Sequence, residues 1–352
     1  MAAKSKIEWT DATWTIVQGC DPVSPGCAGC YAVDVLHRLS ANPNKKISGP
    51  MQGLTERHTN AAGETITRFT GKVALREDRL LWPLTWKRPR MIFVPSHGDL
   101  FHKDVPDEFI DKVFAVMALC HQHTFQVLTK RAERMWAYMA NVEREALWMN
   151  AVADLFEIDG SLLNGRYRVM RQREPWLPLP NVWLGVSAER QQEADERIPL
   201  LLNTPAAKRF ISAEPLLGPI DLNEVIPHPI SYSFKHGFNG LDWVIAGGES
   251  GKKARPMHPD WARSLREQCK AAGVPFFFKQ WGAYCPDGDS CVGEAGGSMS
   301  PDVAWPDGSI SWGHKDDHGG WGMRLARVGK KSAGRLLDGV EHSAFPPVRG
   351  AP

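Results

Sequence analysis

Three of the seven cysteines in the 352-residue chain, Cys20, Cys27 and Cys30, fall within eleven positions. Thiolates crowded in this way ligate zinc or iron–sulfur clusters. A structural zinc site takes four ligands, usually as two C-x2-C pairs. Only Cys27 and Cys30 make such a pair, Cys20 is third, and no fourth cysteine follows nearby, although His37 could complete a Cys3His set. A [4Fe–4S] cluster on three cysteines keeps one iron open for a substrate or cofactor. Gly19, Pro25, Gly26 and Gly29 give a loop that can wrap such a cluster. Ligand preferences favour the cluster and leave zinc and unligated thiols as alternatives. Cys120 and Cys269 stand alone in helical stretches, and Cys285 and Cys291 read as incidental loop cysteines, since two thiols do not complete a site.

A second set of polar residues follows short apolar runs rich in β-branched and aromatic residues. The runs lie at residues 14–17, 91–95, 124–128, 182–186, 209–212, 243–246 and 275–278. Most are continuous rather than alternating, as expected of strands buried on both faces of a parallel sheet. Amphipathic stretches separate them. Residues 107–119 place Phe109, Ile110, Val113, Phe114 and Met117 at helical spacing, and Pro259 and Gly273 suit the start and the cap of another helix. Alternating strands and helices predict an α/β fold, with a partial (β/α) barrel of about six or seven parallel strands favoured over an open doubly wound sheet. Barrels gather chemistry at the C-terminal ends of their strands. There the sequence has Ser96, His97 and Asp99, then Lys130 and Arg131, Ser187 and Glu189, Glu214, Gly247 to Ser250, and Lys279 with Gln280. His97, Asp99 and Glu214 are the candidate catalytic groups, and Ser96, Gly247 and Glu249 candidate cofactor contacts. His97 also reads as a turn residue, and Glu189 and Arg131 as helix caps or as partners of each other. Gly247-Gly248 lacks the spacing of a dinucleotide fingerprint.

The composition excludes several classes. Lys plus Arg is 42 and Asp plus Glu 40, a net charge of +2 that argues against wholesale coating of nucleic acid. No apolar run is long enough to cross a bilayer, and Met1 to Asp11 lacks a signal-peptide core, so a cytoplasmic protein without a membrane partner is expected. Residues 1–282 read as the barrel, with insertions at 41–70 and 141–180, the latter as one or two helices and a Pro-rich connector. Residues 283–352 read as a loop-rich C-terminal cap. Trp82, Trp86, Lys87, Arg88 and Arg90 form a basic aromatic stretch that suits a nucleic-acid backbone or, equally simply, a solvated turn before a strand.

Cys-Ala-Gly-Cys-Tyr at 27–31, on the loop after the first strand, resembles the signature of radical S-adenosylmethionine (SAM) enzymes, with a longer first gap of six residues. The stretch from Lys6-Ile7-Glu8-Trp9-Thr10 through Ser24-Pro25-Gly26-Cys27 to Tyr31 is similar to the phage-associated three-cysteine-motif family. The likeness extends over Asp99-Leu100-Phe101, Thr129-Lys130-Arg131, Gly247-Gly248-Glu249 and Lys279-Gln280-Trp281-Gly282. More distantly, Gly98-Asp99, Thr129-Lys130, Val186-Ser187 and Glu214-Pro215-Leu216 resemble strand ends of spore photoproduct lyase. That likeness implies SAM contacts at Tyr31, Lys130 and Ser187. It departs at Pro95-Ser96-His97, where the lyase has a hydrogen-donating cysteine, so the lyase's own dimer-repair route is not implied. Lys130 follows the buried run Val127-Leu128, where an unpaired ammonium is costly, so an anion such as the SAM carboxylate is its expected partner. Together the resemblances imply reductive cleavage of SAM at a [4Fe–4S] cluster to a 5′-deoxyadenosyl radical. They also imply an electron donor and a nucleic acid or nucleotide-derived substrate, as in DNA lesion repair or base modification. The alternatives are a zinc-stabilised nucleic-acid-binding protein without redox chemistry, and a hydrolase using Asp99, Glu214 and Glu249.

Overall fold

Seven parallel strands form one sheet in the computed structural model, which describes Ser5 and residues 7–59, 63–172, 177–226, 240–286, 299–304, 310–312 and 323–347; six of them grow from the expected apolar runs, while the first precedes the run at 14–17. They are β1 (Ala12–Thr13), β2 (Met91–Val94), β3 (Thr124–Thr129), β4 (Val182–Ser187), β5 (Lys208–Ala213), β6 (Trp243–Gly247) and β7 (Phe276–Gln280). Their spatial order is their chain order. An open doubly wound sheet reverses direction at a switch point. Here no reversal occurs, and the sheet is a half-barrel. Every residue of β4 and β6 is buried, which is why those strands read as unbroken apolar runs.

The main helices are α1 (Tyr31–Ser40), α2 (Asp107–Leu119), α3 (Ala132–Met139), α4 (Arg144–Arg171), α5 (Gln191–Asn203) and α6 (Pro259–Ala272). α2 carries Asp107 and Glu108 in its first turn, where carboxylates suit the positive end of the helix dipole. α6 opens on His258, whose Nδ1 accepts from the Asp260 amide at 3.1 Å. It closes on Gly273, left-handed at φ 67° and so suited to a residue without Cβ. α4 is interrupted at Asp159, whose φ of −156° and ψ of 78° are not helical. Residues Thr55–Thr59 and Thr65–Phe69 pair as an antiparallel hairpin that is mostly solvent-facing. Among the described residues no helix is long and apolar enough to cross a membrane.

By packing the chain falls into two units. One holds Met1–Val23, Cys30–Gly185 and Asn203–Lys208, and the other Ser24–Gly29, Val186–Leu202 and Arg209–Pro352. In the second, strands Tyr284–Pro286, Met299–Ala304, Ile310–Trp312 and Met323–Arg327 form a four-stranded antiparallel sheet. Cys285 lies in the first of these and is disulfide-bonded, which corrects its reading as an incidental cysteine; Cys291 lies outside the described residues. The chain then returns to the edge of the half-barrel. Phe278 N–H donates to the His342 carbonyl at 2.9 Å, the Ala344 N–H to the Phe276 carbonyl at 3.3 Å, and Trp243 Nε1 to the Ala344 carbonyl at 2.8 Å. β7 is therefore not left as a bare edge open to another chain.

Candidate functional site

The approach to the cysteine loop is set by a second, smaller sheet in the first unit. After β1 the chain forms Val17–Gly19, which pairs in parallel with His97–Gly98, aligning Gln18 with His97 and Gly19 with Gly98. The next residue on each segment is Cys20 and Asp99. Asp99 is buried, and four donors converge on its carboxylate. Thr129 Oγ1 at 2.7 Å and the Phe101 amide at 2.9 Å reach Oδ1, while the Lys130 amide at 3.2 Å and Arg131 Nη1 at 2.9 Å reach Oδ2. A carboxylate so engaged fixes the turn after β3; it holds Arg131 rather than waiting for a substrate proton. Arg131 Nη1 is also 3.5 Å from Cys20 Sγ, and Nη2 donates to the carbonyl and Oδ1 of Asp21. Burial works against the Arg131 charge, but Asp99 and the Cys20 sulfur outweigh it and raise its pKa. His102 Nε2 lies 2.8 Å from Asp21 Oδ1, and burial and the Arg131 charge hold that imidazole below the usual histidine range. Lys130 is half-buried, with its Nζ withdrawn from solvent.

Three candidate residues, Ser96, Tyr31 and His97, meet beside this network. Thr15 Oγ1 and Ser96 Oγ are 2.6 Å apart, Tyr31 Oη donates to the Ser96 carbonyl at 2.7 Å, and the Tyr31 ring meets His97 edge-on at 6.2 Å. Tyr31 opens α1 directly after Cys30 and is about half exposed. Burial first, and the Arg79 charge second, press the His97 pKa from 6.5 to about 4. The ring is therefore neutral at pH 7, which removes it as a cationic proton donor. The unfolded chain takes up this proton near 6.5 and the folded chain only near 4. Between those values the unfolded state binds more protons, so this residue's contribution is present above pH 6.5 and lost as pH falls toward 4. His97→Gln should flatten that part of the stability profile. Denaturation midpoints measured across the window decide it, and parallel profiles for the two proteins would count against the assignment.

In the second unit the turn Ser24–Gly29, which carries Cys27, lies on two buried glutamates. Ser24 Oγ donates to Glu189 Oε1 at 2.8 Å, and a Cβ on Gly26 would stand 2.4 Å from the same oxygen. Glu189 Oε2 accepts from Arg197 Nη1 at 3.0 Å, and the same Nη1 donates to the Ser187 carbonyl at 2.9 Å. A Cβ on Gly29 would stand 2.1 Å from Glu249 Oε1, so only glycine permits the approach. Glu249 is gripped bidentately by Arg255, with Nε on Oε2 and Nη2 on Oε1, both at 2.8 Å; Arg255 Nη1 also donates to the Pro25 carbonyl at 3.0 Å. Such charge-assisted pairs fix geometry strongly. Glu249 thus shapes the cysteine loop. Arg197 and Arg255 escaped the sequence reading, because each sits in a helix or loop well after the strand end it serves. Glu189 pairs with Arg197, and Arg131 with Asp99 and Asp21.

Glu214 lies beyond β5, where Oε1 meets Lys279 Nζ at 2.9 Å and Oε2 accepts from Ser212 Oγ at 3.2 Å. Gly247 packs against this pair, since a Cβ there would lie 2.9 Å from Glu214 Oε1. Ser187, at the end of β4, is buried. In the basic aromatic stretch Trp86 is buried, with the Arg90 guanidinium 5.0 Å from its ring centre and His123 edge-on at 6.0 Å. It cannot stack on a base. Trp82 is the more exposed indole, with Arg79 5.0 Å from its ring.

Cys20, Cys27 and Cys30 form no disulfide and are partly exposed. Among the described residues no three His, Cys, Asp or Glu side chains are grouped to hold a metal ion. The donors still fit a thiolate-held metal centre: three cysteines outside any disulfide on one glycine-bearing loop, with a guanidinium at the first sulfur.

A parallel half-barrel with a cysteine loop following its first strand is the class that fold and site define. Over residues 4–346 the chain matches the model of DUF5131, described as a protein of unknown function, and it belongs to that family. Neither a curated protein nor a solved structure matches it.

Proposed function

We propose that this protein is a cytoplasmic radical SAM enzyme with one [4Fe–4S] cluster on Cys20, Cys27 and Cys30. One observation carries the reading: three partly exposed cysteines outside any disulfide lie within eleven residues on the loop that follows the first strand of a parallel half-barrel. When bound, the reduced cluster supplies one electron from an external donor to SAM, whose cleavage yields methionine and a 5′-deoxyadenosyl radical. The chain's own groups bind and orient. Lys130 pairs with the SAM carboxylate, Tyr31 and Ser187 position the cofactor, and the Glu249–Arg255 pair holds the loop that presents Cys27. Trp82, Lys87 and Arg88 are exposed side chains in keeping with a nucleic acid or nucleotide-derived substrate.

Anaerobic reconstitution with iron and sulfide should give a brown protein with about four irons, the content of a cubane cluster. With dithionite as donor it should release 5′-deoxyadenosine from SAM. Stoichiometric zinc without iron uptake would instead establish the zinc-stabilised binding protein. Lys130→Ala should keep the iron and weaken SAM binding about tenfold or more, since a charge-assisted hydrogen bond contributes roughly 1.5–3 kcal/mol. Unchanged SAM affinity in that variant removes Lys130 from the site.

A further inference from the structure

The Arg131 guanidinium is tied down on both of its terminal nitrogens. Nη1 donates to Asp99 Oδ2 at 2.9 Å and reaches Cys20 Sγ at 3.5 Å, while Nη2 donates to the Asp21 carbonyl at 3.2 Å and to Asp21 Oδ1. Asp99 is itself immobilised by Thr129 and two backbone amides. The cation cannot leave the sulfur without breaking a buried ion pair, which holds it in place far more firmly than an exposed pair would. His102 and Asp21 complete the ring of polar groups around it.

We propose that Arg131 is a positioning residue that sets the reduction potential of the metal centre ligated by Cys20. The inference rests on the cluster reading given above. A donor and a positive charge at a ligand sulfur stabilise the reduced, more negative state, and hydrogen bonds to sulfur are among the levers that tune iron–sulfur potentials. The step is a one-electron reduction of the centre by the external donor; no bond to Arg131 forms or breaks. Its forked geometry matters, because a single ammonium cannot engage Asp99, Asp21 and the sulfur together.

The test is the double variant Asp99→Asn with Arg131→Met, which removes one charge of each sign and leaves no buried charge unpaired at Asp99. Replacing both partners of a buried pair is often tolerated where breaking one is not. Iron content and the midpoint potential, followed by electron paramagnetic resonance during a redox titration, are measured for wild type and variant. The guanidinium is the member of the pair that touches sulfur, so its loss dominates and the midpoint should fall. At a fixed applied potential the reduced-to-oxidised ratio should drop about tenfold, which is about 59 mV for a one-electron couple. Arg131→Lys, with its charge kept and its fork lost, should fall in between. An unchanged midpoint in an iron-loaded variant overturns the proposal, as does a folded variant that no longer takes up iron, whose defect is then assembly. Wild-type protein that takes up no iron sinks the cluster reading, and this inference with it, before any variant is compared.

Discussion

Glu189→Ala should lower the unfolding free energy by about 3–5 kcal/mol, the range for breaking a buried ion pair from one side. Glu189 is fully buried, and its partner Arg197 is 5% exposed. Removing the carboxylate takes from Arg197 its acceptor at 3.0 Å and from Ser24 Oγ its acceptor at 2.8 Å. Both losses fall where water cannot substitute freely, so the desolvation cost of a buried cation that has lost this carboxylate decides the size of the effect. Glu189→Gln keeps an acceptor oxygen and most of the volume, and should cost less. The exposed pair Glu56–Arg68 provides the contrast. Both side chains are about half exposed, and Glu56→Ala should change stability by about 0–1 kcal/mol. Urea denaturation of the three variants measures this ordering. The cysteine turn should also become more open to protease in Glu189→Ala, since Ser24 and Gly26 lose the surface they rest on. If Glu189→Ala were no more destabilising than Glu56→Ala, the loop would be held by something other than this pair.

Strands buried on both faces announced themselves in the sequence. Residues 243–246 and 182–186 are unbroken apolar runs, and the structure ends them at Gly247 and Ser187. The helix at 107–119 was legible to the residue, because its apolar spacing and its acidic first turn agree. β1 was not: residues 14–17 read as a strand, yet the paired segments are Ala12–Thr13 and Val17–Gly19, which belong to different sheets. A short apolar stretch shared between two sheets has no period of its own. The strands at 299–304, 310–312 and 323–327 gave no signal either, since their flanks are rich in Gly and Asp.

The site divides in the same way. Polar residues in step with strand ends could be listed from the sequence, and the structure does place Asp99, Lys130 and Arg131 around one turn. What could not be read was which groups are already occupied. Asp99 and Glu249 look alike as strand-end carboxylates, and only geometry shows that each is consumed by an arginine. Glycine gave a partial clue. Gly26 and Gly29 were expected to lend flexibility, whereas the close approach of Glu189 and Glu249 demands the absence of a side chain. A conformational argument and a steric one select the same residue, and a sequence cannot separate them.

Cys27→Ala should abolish iron uptake altogether, while Cys120→Ala and Cys269→Ala should leave it intact. The contrast follows from where the thiols sit. Cys120 and Cys269 are fully buried, and burial pushes both thiols up to about 12. At neutral pH they remain protonated, and a thiol that keeps its proton neither ligates metal nor attacks an electrophile. Cys20, Cys27 and Cys30 are partly exposed, and a guanidinium lies at the Cys20 sulfur. Alkylation of the native, metal-free protein with iodoacetamide at about pH 8 should therefore modify these three quickly and the two buried thiols slowly. After reconstitution the same three should be protected, because a ligated sulfur is not available to the reagent. Two cysteines rarely suffice to hold a cubane cluster, so the Cys27→Ala protein should stay colourless rather than lose a fraction of its iron. Equal alkylation of all five thiols would show that burial is not what separates them. Full iron content in Cys27→Ala would remove the cysteine loop from the metal centre and leave the strand-end carboxylates as the remaining candidates for chemistry.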